Sequence, residues 1–252
     1  MSAIAFELFF RFLWGSFFAL FLVSRVETSE RFVRIATLIG FVCALVAGLF
    51  VMTAAPLSNE SYSRGASLVA LALGLWLYKQ QSTLKRRSGF ALWLLAGAVH
   101  CLQLGQPLDV LGFVSAALLV GSIFMGQFLG HWFLNVPGVH IQELLRLVKL
   151  LIFSIGLRWI AAALAIVLRL LPSCADDRFA SFLCLNSFDL IMFLTFSLFS
   201  LLAPVLLAPM IYKTSKVRST QSATGIFYAL SVMILLGEGA ALYFRILRAL
   251  PL

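Results

Sequence analysis

Five ionisable side chains stand where the neighbouring sequence is almost wholly apolar. Glu7 and Arg11 interrupt an apolar run near the N-terminus, Arg158 lies within the apolar residues 153–165, and Glu238, between Gly237 and Gly239, is followed seven residues later by Arg245. Ionisable groups inside a membrane are costly, so each is a functional candidate by default. Structural pairing and snorkelling are the competing explanations. The chemistry open to such groups is mutual neutralisation, contact with a polar ligand, or proton exchange. The glycines beside Glu238 remove side chains, which lets another backbone or a ligand approach it.

Depth decides which of these groups can meet. Arg158 is about 14 Å inside its apolar stretch, near the midplane, and Glu238 is about 22 Å from the inner end of its own. Arg11 descends about 10 Å from the other side, close to the level of Glu238, so an Arg11–Glu238 pair is easier than an Arg158–Glu238 pair. Arg245 is two turns beyond Glu238 on the same face and extends the polar stripe. Glu7 and Arg11, spaced i,i+4, share a face and can partly neutralise each other. His100 falls in the same outer half, while His131 and His140 lie near an inner border, so two-histidine haem ligation is not expected. No metal site is expected either. Cys174 and Cys184 share one connection on the expected outer side, where a disulfide is permitted and two free thiols at helix ends are the alternative. Gly126 and Gly130 form a small-xxx-small pair, and Pro204 and Pro209 interrupt their helix.

The elements that must position these residues are helices in a bilayer. Of 252 residues, 62% are apolar and 12% charged, with 24 Phe and a net charge of +9. A soluble domain has about 45–50% apolar and about 25% charged residues. This balance excludes a soluble enzyme, a nucleic-acid reader and a disordered tail. Eight stretches approach the roughly 20 apolar residues a spanning helix needs: 4–24, 35–53, 65–78, 89–106, 109–134, 149–171, 188–212 and 223–247. The third is the weakest. Nothing alternates with period two, so a β-barrel is not expected. Cations concentrate in connections one, three, five and seven, whereas connections two, four and six hold only Arg64 and Arg178. The positive-inside rule then places both termini outside, with Arg245 and Arg248 as mild counter-evidence. The expected fold is an all-α polytopic integral membrane bundle of about eight helices, one domain over residues 1–252, in a bacterial cytoplasmic (inner) membrane. Glu7, Arg11 and the lack of a basic leader segment make the first stretch a retained helix rather than a secretory signal.

Two segments carry a resemblance. His100-Cys-Leu-Gln103-Leu-Gly105-Gln-Pro107 is similar to the His-Leu-Gly-x-Pro segment of the membrane anchors of polysulfide-reductase and dimethyl-sulfoxide-reductase type complexes (the NrfD/DmsC-like families). Leu235-Leu-Gly237-Glu238-Gly-Ala-Ala-Leu-Tyr243 resembles the Gly-Glu segment of their last helix. Gln103 stands where the family has histidine, and the first segment lies in a later helix than in the family. The resemblance implies a membrane subunit of an electron-transfer complex that contacts quinol or quinone near the outer face, beside iron–sulfur or haem partner proteins and membrane lipids. With quinone as the cofactor, Glu238 is the candidate proton acceptor, and Gln103, His100, Arg11 and Glu7, all in the outer half, are the candidate ligand contacts. Arg158, near the midplane, is a candidate ligand contact that belongs to the substrate pathway if the chain is a transporter. A small-solute or ion transporter is the alternative from another class, although no inverted repeat is visible. A purely structural subunit, its charged pairs fixing helix register, is the third.

Overall fold

In a computed structural model, residues 2–23, 30–54, 59–78, 83–136, 140–170 and 187–248 are described. Among them the chain forms helices and no strand. In chain order these are α1 (Ser2–Leu22), α2 (Glu30–Ala54), α3 (Asn59–Tyr78), α4 (Thr83–Leu104), α5 (Pro107–Asn135), α6 (Ile141–Leu170), α7 (Ser187–Lys216) and α8 (Thr220–Leu247). Six of them, α1, α2, α5, α6, α7 and α8, are long and apolar enough to cross a membrane. The sequence reading expected eight such stretches. In α3 the residues from Asn59 to Arg64 are mostly polar, leaving Ser67–Tyr78 as its apolar part. In α4 the run Lys85–Arg87 shortens one end, and His100 and Gln103 interrupt the other.

Several helices begin earlier than apolar content alone indicates. The expected sixth stretch starts at residue 149, whereas α6 starts at Ile141. Its first turns are amphipathic: Leu144, Leu147, Val148 and Leu151 are buried on one stripe while Arg146 lies on the other side. The same stripe logic extends α2 back to Glu30, with Phe32 and Val33 buried.

The bundle is apolar on both its inside and its outside. Leu38, Phe153, Ile160 and Val232 are each more than half exposed, an exterior suited to lipid rather than to water. The centre is α5, whose residues from Gly112 to Gly130 are largely buried. It runs parallel to α1 and antiparallel to α8. Gly15 of α1 and Gly121 of α5 bring two backbones into contact: a Cβ on Gly121 would stand 2.0 Å from the Gly15 carbonyl carbon. The Gly126/Gly130 pair packs against Phe227 and Thr224 of α8. The α4–α5 turn is built from Gly105 at φ +69° and Pro107 in the first turn of α5, a helix stop followed by a helix start.

Pro204 shapes α7 upstream of itself. Residues Phe196–Leu202 form a π-helical turn within α7. A proline clashes with the carbonyl four residues before it, and a widened turn relieves that clash. The buried residues of the widened turn are Phe196, Ser200 and Leu201.

Candidate functional site

Trp93 of α4 fixes that helix against α1. Its indole stacks on Trp14 at 4.5 Å between ring centres, and its Nε1–H donates to the Trp14 carbonyl at 2.9 Å. Two turns further along α4 this register delivers His100 into a box of Phe6, Phe10 and Phe113, with ring centres 6.1, 4.5 and 4.7 Å away. Glu7, one turn before Arg11 on α1, reaches the same level. Its Oε2 is 3.3 Å from His100 Nε2, and its Oε1 is 2.7 Å from Arg245 Nη2.

One turn deeper lies a second carboxylate. Glu238 Oε2 accepts from Arg11 Nη1 at 2.7 Å and from Arg158 Nη2 at 3.1 Å. Its Oε1 accepts from Arg158 Nε at 2.9 Å and from Ser200 Oγ at 2.5 Å. All four acceptor positions of the carboxylate are filled. Arg11, Arg158 and Glu238 are each 0% exposed. The Arg158 guanidinium also lies over the Phe196 ring, 5.3 Å from its centre. Four helices meet here: α1 brings Arg11, α6 Arg158, α7 Ser200 and α8 Glu238. Gly237 permits the approach of α7, because a Cβ there would stand 2.5 Å from the Ser200 backbone nitrogen.

The expected Arg11–Glu238 pair is present, and Arg158 joins it rather than competing with it. Glu7 and Arg11 instead pair outward, each with its own partner on the antiparallel α8. Gln103 is not brought to the network; it is exposed in the last turn of α4. The buried stripe of α4 runs through Trp93, Ala96 and His100, and Gln103 lies at its edge. Cys174 and Cys184 fall outside the described residues. Cys43 and Cys101 are half-buried free thiols, and among the described residues no group of three His, Cys, Asp or Glu is placed to hold a metal.

Two features escaped the sequence reading. Asp189, an acidic residue in the first turn of α7 that apolar run length does not single out, is buried. It accepts from Tyr243 Oη at 2.7 Å and from Arg248 Nε and Nη2 at 3.1 and 2.5 Å. Donation to the Asp189 carboxylate holds the Arg248 guanidinium above its ordinary pKa. The signal was the antiparallel pairing of α7 and α8, which brings the start of one to the end of the other. The second feature is the charge count. Across the two linked levels three guanidinia face two carboxylates. Arg11 Nε and Nη2, Arg158 Nη1, Arg245 Nη1 and His100 Nδ1 are buried without a hydrogen-bond partner. The guanidinia therefore exceed the carboxylates by one positive charge, and several N–H donors are left free.

No family model matches the sequence, and neither a curated protein nor a solved structure matches it. The likeness to quinol-contacting anchors therefore rests on its two segments alone. In one of them, Gly105 and Pro107 have a sufficient explanation in the α4–α5 turn.

Proposed function

We propose that the chain is an integral-membrane subunit of an electron-transfer complex, and that it contacts quinol or quinone at the Glu7–His100 level of the network. The observation that carries this reading is the carboxylate–imidazole pair itself. Glu7 Oε2 and His100 Nδ1 are buried and lack hydrogen-bond partners, so the pair can take up a proton and pass it on. Quinone carbonyls accept hydrogen bonds, and the free guanidinium N–H groups alongside offer them. Glu238 then serves as frame rather than as proton acceptor, since a proton on it would displace an existing donor. In this reading all eight helices span, alternating in direction, with both termini on the side opposite the basic connections. The bacterial inner membrane is the expected setting, and soluble partners carry any haem or iron–sulfur cluster.

The test is purification of the complex from native membranes, with identification of every partner and bound quinone, for wild type and for Glu7→Gln and His100→Phe. Loss of quinol-linked turnover with assembly retained supports the reading. Unchanged turnover and quinone content in both variants removes it.

The surplus positive charge favours a second reading, transport of a small anion. Stabilisation of the isolated protein by a specific anion, with no co-purifying redox partner, would select it over the first.

A further inference from the structure

A cavity of about 330 Å³ opens in the other half of the bundle, beginning one residue past Arg11 on α1. Its walls come from the C-terminal half of α1, from α2, from α5 and from Tyr228 of α8, with Leu75 of α3 closing one side. Ile39 and Tyr228, both on its rim, are more than 40% exposed on the apolar exterior. The cavity therefore communicates with the surface that lipid would cover.

Its lining is apolar and aromatic apart from Ser16, Gln127, His131 and the Tyr228 hydroxyl, and it includes no Asp, Glu, Lys or Arg. A charged occupant would have no counter-charge there. Two polar atoms in this lining are buried and unsatisfied, Ser16 Oγ and Gln127 Oε1. For Ser16 this is unusual within the molecule. Ser115, Ser122, Ser154, Thr224 and Ser231 each donate to a carbonyl three or four residues back along their own helix. Ser16 makes no such bond, so its hydroxyl remains available to an occupant. Water filling the space would number about ten molecules at roughly 30 Å³ each, most of them facing Phe and Leu with nothing to bond. An acyl chain would suit the walls and leave both polar atoms bare.

We propose that this cavity is a binding site for a neutral, membrane-soluble molecule bearing a hydroxyl group, an alcohol or a phenol. One O–H satisfies both orphans: it donates to Gln127 Oε1 and accepts from the Ser16 hydroxyl. The apolar body fills the aromatic walls and enters from the lipid side between Ile39 and Tyr228. The site is separate from the Glu7–His100 level, and the proposal stands whether or not that level handles quinol.

The experiment uses the full chain in lipid nanodiscs and a diazirine-bearing long-chain alkylphenol as photolabel. Competitors are decylhydroquinone, geranylgeraniol, and the methyl ether of the alkylphenol. Labelled peptides are expected within residues 12–20 and 124–131, with the methyl ether competing about tenfold or more weakly than the free phenol, because it cannot donate to the buried Gln127 Oε1. Competition by decylhydroquinone alone identifies a hydroquinone source, competition by geranylgeraniol alone an isoprenoid alcohol, and competition by both the shared hydroxyl chemistry; each supports the proposal. The double variant Ser16→Ala/Gln127→Leu is expected to lose labelling by a similar factor with no fall in Tm, since it replaces unsatisfied polar groups by apolar ones. Ala36→Phe, which fills the cavity, should lose labelling too. Equal competition by the methyl ether, labelling confined to other helices, or full labelling of the double variant would overturn it.

Discussion

Arg11 and Glu238 are 227 positions apart in the chain and 2.7 Å apart in space, both fully buried. The contact joins the first helix of the bundle to the last. Because Arg158 shares the same carboxylate, the pair is part of a site in which cations outnumber anions. That imbalance makes the effects of substitution unequal.

Removing a carboxylate should harm the protein more than removing an arginine. Glu238→Gln leaves Arg11 and Arg158 buried without a counter-charge, and breaking a buried pair in this way costs about 3–5 kcal/mol. Arg11→Met leaves Glu238 with Arg158 and brings the network to neutrality, so its cost should be less than half as large. Unfolding of the two variants in the same detergent measures the difference. Equal losses would show that the charge count has no energetic weight.

The contact between α1 and α5 should tolerate no side chain at Gly121. A methyl there meets backbone on α1, which must shift, and overpacking of a tight interface costs about 1–3 kcal/mol or more. Gly156→Ala in α6 is the control, since nothing lies within 4 Å of its new Cβ. It should be neutral or stabilising by about 0.5–1 kcal/mol, because Ala is the better helix former. Thermal unfolding of the pair gives opposite signs.

Arg218 holds φ at 60° in the turn between α7 and α8. There its N–H donates to Ser215 O at 3.0 Å, and the Ser219 N–H donates to Thr214 O at 2.9 Å, the pattern of a helix C-terminus that ordinarily uses glycine. Arg218→Gly should raise stability by about 1 kcal/mol, and Arg218→Val should lower it. A loss of stability on introducing glycine would mean that the Arg218 side chain is held by something more valuable than the backbone strain.

Sidedness can be read by thiol labelling in a chain whose native cysteines are replaced by serine. Ser219→Cys at the α7–α8 turn and Gln106→Cys at the α4–α5 turn are expected to react with membrane-impermeant maleimide from opposite sides. Ser219→Cys is expected to react from the cytoplasmic side. Reaction of both from one side would rule out alternating spans.

Helix positions and the meeting of Arg11 with Glu238 were legible in the sequence, because apolar run length and depth along a helix are local arithmetic. What was not legible depends on how helices rotate and bend. Gln103 and His100 are three residues apart, yet only His100 falls on the stripe that α4 turns toward α1. The π turn before Pro204, which belongs to the segment that supplies Ser200 to Glu238, has no signature beyond the proline. Asp189 stands in the first turn of α7, and only the antiparallel partner places Tyr243 and Arg248 beside it. The cavity at Ser16 and Gln127 is a property of the space left between helices, which no single stretch encodes.

Glu238 belongs to α8, which is synthesised after both of the helices that carry its arginine partners. Until α8 arrives, the chain already contains Arg11 and Arg158 without the carboxylate that both of them bond. A chain stopped before α8 would keep both guanidinia without this carboxylate, so closing the Arg11–Glu238–Arg158 contact is a step that assembly of the bundle can complete only once α8 is in place.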